Sequence, residues 1–136
     1  MPRLLKCHIG IGVPVEGEAL VAADNFSARY DLDRNKGIFS RPDHALAGQS
    51  YVDKVLVMNT AKGGVASAWM LYEMQSRAMA PKAILFNTAN TILAQGAALA
   101  GLAMCDRFED GDVTQLISTG AQIRVDPTTG TVLILD

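Results

Sequence analysis

The sequence is short of most residues that carry chemistry on their own. It holds two cysteines, Cys7 and Cys105, and two histidines, His8 and His44. Two cysteines are too few for a disulfide framework, and they read as small buried or half-buried thiols. With only two histidines beside them, the chain does not supply the three or four soft ligands of an iron–sulfur cluster. Charge is sparse as well: 19% of residues are charged, 12 basic against 14 acidic, for a net charge of −2. Neutralising a phosphate backbone needs a basic face, so nucleic acid is excluded as the main partner. No apolar run is long enough for a bilayer, because the longest, around Ile92 to Met104, is broken by Gln95, Gly96 and Gly101. Met1 to Lys6 leads straight into a strand-like run without a signal-peptide core, and the expected compartment is the cytoplasm.

Several motifs are missing too. There is no G-x4-G-K-[ST], which removes nucleotide hydrolysis of the P-loop kind, and no G-x-S-x-G nucleophile turn. Gly10, Gly12 and Gly17 are spaced G-x-G-x4-G with no helical pattern behind them, so they are not a dinucleotide fingerprint. Asp43-His44 reads as an exposed loop pair, and His8 as a satisfied buried or edge histidine on an apolar strand. The carboxylates of Glu109, Asp110 and Asp112 read as a solvated acidic turn rather than an acid–base pair.

What remains is a compact, largely apolar chain. At 136 residues, 49% of them hydrophobic, it is expected to form one domain over residues 1–136. Such a domain buries about two thirds of its unfolded surface. Residues Leu4 to Ile11 look like a strand, and Gly17 opens a second strand, or a strand with a bulge, over Glu18 to Ala23. Arg34-Asn35-Lys36-Gly37 is a turn returning into Ile38-Phe39. The first fifty residues therefore read as strands and turns without a helix.

The clearest stretch is Tyr51 to Asn87. Val55–Met58 and Ala83–Phe86 are apolar runs of strand length, and a helix-length segment after Gly63-Gly64 must stop near Pro81. Strand, crossover helix and strand make a βαβ unit, whose first turn lies at the carboxyl edge where open α/β sheets place ligands. In that helix the Met, Trp and Tyr side chains are expected in the core, and its N-terminus is expected inside a packed layer. Thr88 to Thr91 can cap a second helix from Ile92 to about Ala100, with Gly96 and Gly101 implying close packing or an early stop. Leu102 to Cys105 reads as a short strand and Val113 to Ser118 as one helical turn. Ala121–Val125 and Thr131–Leu135 form a hairpin across Asp126-Pro127-Thr128-Thr129-Gly130.

The glycine turn Asn59 to Gly64 supports two readings. The free N–H groups around Gly64, Val65 and Ala66, the helix dipole and Lys62 together make a seat for a carboxylate or phosphate. Alternatively, Gly63-Gly64 merely permits a tight strand-to-helix turn.

In its order of motifs the chain resembles the small subunit, or swivel domain, of aconitase X-type dehydratases. That family includes the mevalonate-5-phosphate dehydratases of archaea and the cis-3-hydroxy-L-proline dehydratases of bacteria. The resemblance runs through Gly17-Glu18-Ala19-Leu20-Val21, Asp33, Gly37-Ile38, His44-Ala45-Leu46-Ala47-Gly48, Lys62-Gly63, Glu73, Ala80-Pro81-Lys82-Ala83 and Ile92-Leu93-Ala94-Gln95-Gly96. It implies an α/β (β/β/α) swivelling domain like the mobile domain of aconitases, with a β-rich N-terminal half, a βαβ core and a C-terminal hairpin. It further implies a subunit of a hydro-lyase acting on a small hydroxy acid or phosphorylated hydroxy acid, inactive alone. In that picture the chain supplies substrate-anion binding and lid closure, and the large subunit carries the iron or iron–sulfur centre. The elimination itself needs a Lewis-acid metal at the departing hydroxyl and a base on the carbon acid.

Two departures from the family pattern stand out. The serine that follows the basic residue and glycine in the family, with a proton-transfer role, is here Gly64. The nearest hydroxyl is Ser67, one helical turn on, which becomes the candidate catalytic group. A glycine pair of the family is replaced by Tyr30-Asp31, and Arg29 stands in a loop where the family has no arginine. The candidate substrate-binding set is thus Ser27, Arg29, Lys62, Gly63, Gly64 and Val65. A regulatory subunit that kept the fold, or a free-standing anion-binding module, are the alternatives.

Overall fold

The structure is a computed structural model and describes residues 3–27, 31–62 and 65–135, with only the backbone of Val65 included. Its frame is a mixed sheet built from two halves. Four parallel strands lie side by side: β2 (Val15–Val21), β5 (Val55–Thr60), β6 (Ala83–Thr88) and β7 (Ala103–Cys105). On the other side of β2 the sheet turns antiparallel through β8 (Gln122–Asp126), β9 (Thr131–Ile134) and β1 (Arg3–Lys6). A small separate hairpin pairs β3 (Leu32–Asp33) with β4 (Ile38–Phe39) across the turn that ends in Gly37, whose φ of 72° suits glycine.

β5 and β6 are buried on both faces, as their unbroken apolar runs require. Leu56, Met58, Ile84 and Phe86 point into one core, shared with the helices α1 (Val65–Ser76) and α2 (Thr91–Ala100) and with Phe26, Phe39 and Tyr51. Val55, Val57, Ala83 and Leu85 point into the other, with Leu5, Ile123, Val125, Val132 and the short helix α3 (Val113–Leu116). The β-rich N-terminal part, the βαβ core and the C-terminal hairpin are present as expected, and no helix precedes β5 among the described residues.

Three local expectations are corrected. The first strand ends at Lys6 rather than Ile11; beyond it the chain leaves the ladder, and only Ile11 returns as a bridge to Met104. His8 is exposed in that loop rather than seated on a strand. The second strand begins at Val15 and runs through Gly17, so that glycine lies inside the ladder, opposite Ile123.

The third correction concerns α1. Ser67, Leu71 and Met74 turn inward and are 1%, 1% and 0% exposed, but Trp69 is 60% and Tyr72 48% exposed. The sheet covers only one face of this helix. Apolarity all round therefore does not mean burial all round.

Helix α2 shows both effects expected of its glycines. Asn90 caps it by accepting from the Leu93 N–H at 2.7 Å, and Gly101 stops it in the left-handed region at φ 68°. Gly96 lets the two helices touch, since a Cβ there would lie 2.6 Å from Ala68 Cα.

Candidate functional site

The site forms where the segment after β2 runs beside the end of β5. Phe26 N–H donates to Thr60 O (3.0 Å) and Lys62 N–H to Phe26 O (2.8 Å), so residues 24–27 prolong the sheet by one short parallel rung. Ser27 is carried to the start of α1, and its hydroxyl lies 3.4 Å from that of Ser67. Both serines are buried, at 5% and 1% exposure. The two hydroxyls, forty residues apart in sequence, thus form one buried pair at the start of α1. Lys62 is exposed and has no carboxylate partner among the described residues. Arg29, Gly63 and Gly64 lie outside the described residues, as does the side chain of Val65.

Ser27 is held from behind by Asp31. The Ser27 N–H donates to Asp31 Oδ2 at 2.8 Å, and the Asp31 N–H returns to Ser27 O at 3.0 Å. The other carboxylate oxygen of Asp31 sits 2.8 Å from Arg41 Nε, a charge contact whose N–H does not point at the oxygen. The arginine described here is therefore Arg41, and it is already opposite Asp31 with Asp24 3.9 Å away. It is not a free donor for a substrate.

His44 is the largest departure from expectation. It is buried, with its side chain fully enclosed, not exposed in a loop. Leu46 N–H donates to Nδ1 at 3.1 Å, which leaves the proton on Nε2, and that proton goes to Asn25 O at 3.0 Å. The ring stacks on Phe39 with centroids 4.7 Å apart. Among the described residues no serine, threonine or cysteine is hydrogen-bonded to the His44 ring. Its role is to tie residues 39–48 to the segment that carries Ser27. Asp24 joins the same knot: burial opposes its ionisation, but the N–H groups of Asn25 (2.8 Å) and Ala45 (3.3 Å), with His44 and Arg41 near, hold its carboxyl below the usual range.

Across the carboxyl edge runs a chain of amides. Asn25 Oδ1 accepts from Thr60 Oγ1 (2.5 Å) and Asn59 Nδ2 (3.3 Å), and Asn87 Nδ2 donates to Asn59 Oδ1 (3.0 Å) and Asp112 Oδ1 (2.8 Å). The side-chain hydrogen bonds from Asn87 and Thr114 draw the Asp112 carboxyl below its ordinary range. One sequence cue was available for this chain: an asparagine ends each of the two central apolar runs, at Asn59 and Asn87. Asp31, Arg41 and His44 carried no such cue.

The two cysteines meet across the loop that follows β1. A hydrogen bond between the thiols lowers the pKa of Cys7 and, together with burial, raises that of Cys105. Among the described residues no group of three His, Cys, Asp or Glu side chains could hold a metal ion. Among the described residues the donor set does not fit an iron or iron–sulfur centre. No helix among the described residues is long and apolar enough to cross a membrane.

Comparison with known proteins agrees with this architecture. The chain is 34% identical over 132 residues to the phosphomevalonate dehydratase small subunit of Thermococcus kodakarensis, covering 97% of this chain and 96% of the relative. It is 30% identical over 133 residues to the protein of the same name from Methanococcoides burtonii, covering 97% and 96%. Its fold superposes on a chain of the crystal structure of Thermococcus kodakaraensis aconitase X in its holo-form with a TM-score of 0.90. That match is 31% identical and covers 98% of this chain and 99% of the other. The named relatives are small subunits of a dehydratase, a hydro-lyase. The model of the aconitase X swivel domain matches residues 4–134, and the chain belongs to that family.

Proposed function

We propose that residues 1–136 form a single swivel domain that works in the cytoplasm as the small subunit of an aconitase X-type hydro-lyase. Its substrate is a small hydroxy acid or phosphorylated hydroxy acid. The names of the relatives make phosphomevalonate the first to test. The observation that carries this reading is Lys62, exposed and without a carboxylate partner among the described residues, between the carboxyl edge of β5 and the helix α1 that carries Ser67 of the buried Ser27–Ser67 pair.

In this role the chain binds and encloses the substrate while the large subunit supplies the iron-based chemistry. Lys62, with the N–H groups at the start of α1 around Gly63, Gly64 and Val65, takes the carboxylate or phosphate, and Arg29 supplies a second cation. Closure of the domain over its partner removes water from the reacting centre. Ser67, backed by Ser27, is the hydroxyl that replaces the one absent at Gly64. Because Ser67 is 1% exposed in the chain alone, this role requires that it be uncovered in the complex.

The test is turnover of the reconstituted two-subunit enzyme. Lys62→Ala and Arg29→Ala are each expected to raise KM about tenfold, as loss of a charge-assisted contact does. Ser67→Ala is expected to lower kcat by about 100-fold or more with KM little changed, the size expected for losing a proton-transfer group. Unchanged kinetics in all three variants would sink the assignment. The glycine at position 64 favours a second reading, a regulatory subunit that keeps the fold. A stable complex that turns over no hydroxy acid would support it.

A further inference from the structure

The apolar face that α1 and α2 turn away from the sheet has no cover among the described residues. Trp69 is 60%, Tyr72 48%, Ile92 42% and Leu99 65% exposed. Trp69 and Tyr72 pack edge to face with ring centroids 6.3 Å apart. Between the helices lies a groove of about 190 Å³ lined by Ala68, Trp69, Ile92, Gln95, Gly96 and Leu99, with no charged side chain. Helix α2 has no charged residue along its length, and α1 has none before Glu73. Exposed helix faces normally carry charge for solvation. Apolar patches with charge depleted at their centre are the composition of permanent interfaces.

At the floor of the groove Gly96 lets the backbones of the two helices approach at Ala68. On the two helices themselves charge appears only at the far end of α1, where Glu73 pairs with Arg34 and, as its next-turn neighbour, Arg77, each at 3.1 Å.

We propose that this groove is where the large subunit docks, with Trp69 as the central anchor. The inference rests on the small-subunit reading given above. Position argues for this occupant over a second copy of the chain. The patch begins at Ala68, next to Ser67, and lies on the helix whose N-terminus follows Lys62. A body seated there is brought beside the candidate site. A second copy would bring the same residues again, and among those described no cluster could hold a metal. The large subunit is the occupant that completes the site.

The test measures binding of the full chain to its cognate large subunit. Trp69→Asp and Leu99→Asp should each weaken the complex by about tenfold or more, as loss of a buried interface anchor does. Val13→Asp, a control at a residue 65% exposed elsewhere, should leave binding unchanged. Thermal melts of the free variants should match the parent. Trp69 is the only tryptophan in the chain, so 5-fluorotryptophan labelling reports on that position alone, and its ¹⁹F resonance should shift when the large subunit is added.

A parent chain that binds, with both aspartate variants binding equally well and the resonance unmoved, overturns the docking face but leaves the subunit reading intact. A homodimer that Trp69→Asp disrupts, with large-subunit binding unchanged, also overturns it. A parent chain that does not bind the large subunit removes both readings.

Discussion

At the residue scale His44 shows how much a single buried ring can organise. Its two nitrogens are both engaged, one accepting from Leu46 N–H and the other donating to Asn25 O, and its face lies on Phe39. Removing the ring leaves two backbone groups unpaired and a cavity beside an aromatic core. His44→Ala is therefore expected to cost about 2–4 kcal/mol, read as a drop in the urea midpoint at unchanged slope. A loss near zero would mean that the 39–48 segment is held elsewhere. The Asp43-His44 dipeptide looked exposed because a local reading sees only its loop-forming neighbours. The partners that bury it lie 19 residues back, at Asn25, and across the 39–48 turn.

At the scale of elements, the contact between α1 and α2 is decided by one missing methyl group. Gly96→Ala would gain about 1 kcal/mol in helix propensity. Its Cβ, however, would lie 2.6 Å from Ala68 Cα, a backbone atom that cannot swing away. Overpacking of this kind typically costs about 1–3 kcal/mol, so the variant should melt at a lower temperature than the parent. A higher melting temperature would show that the helices separate freely. The glycine marked this close approach in the sequence alone. Which faces of α1 would stay in water was not legible there, because, Ser67 apart, the apolar residues ring the first two turns.

At the scale of the whole molecule, the carboxyl edge of the parallel strands is stitched by polar side chains that join β5 and β6 to the loops beside them. Asp24 and Asp112 end that chain, and in both the folded state lowers the carboxyl pKa. The sign follows from linkage: the unfolded chain binds more protons than the native one between the lowered values and about 3.9, the ordinary aspartate value. The stability they contribute is full above about pH 4 and is lost as the pH falls through the folded values. Urea midpoints measured between pH 6 and pH 2.5 should therefore decline on the acid side, and Asp24→Asn should flatten part of that decline. An identical profile for the variant would remove Asp24 from the account.

The sequence by itself determined the order of elements, the βαβ unit, the terminal hairpin and the family, because apolar period, glycine and proline punctuation and motif order are local properties of the chain. It also placed Lys62 just after β5 and Ser67 in the first turn of the helix that follows. Only the tertiary structure brought Ser27 against Ser67, set Arg41 on Asp31, enclosed His44, joined Cys7 to Cys105 and left Trp69 facing water. Each of these depends on which segment lies across from which. That pairing is made by burial shared between residues tens of positions apart, which no local pattern records.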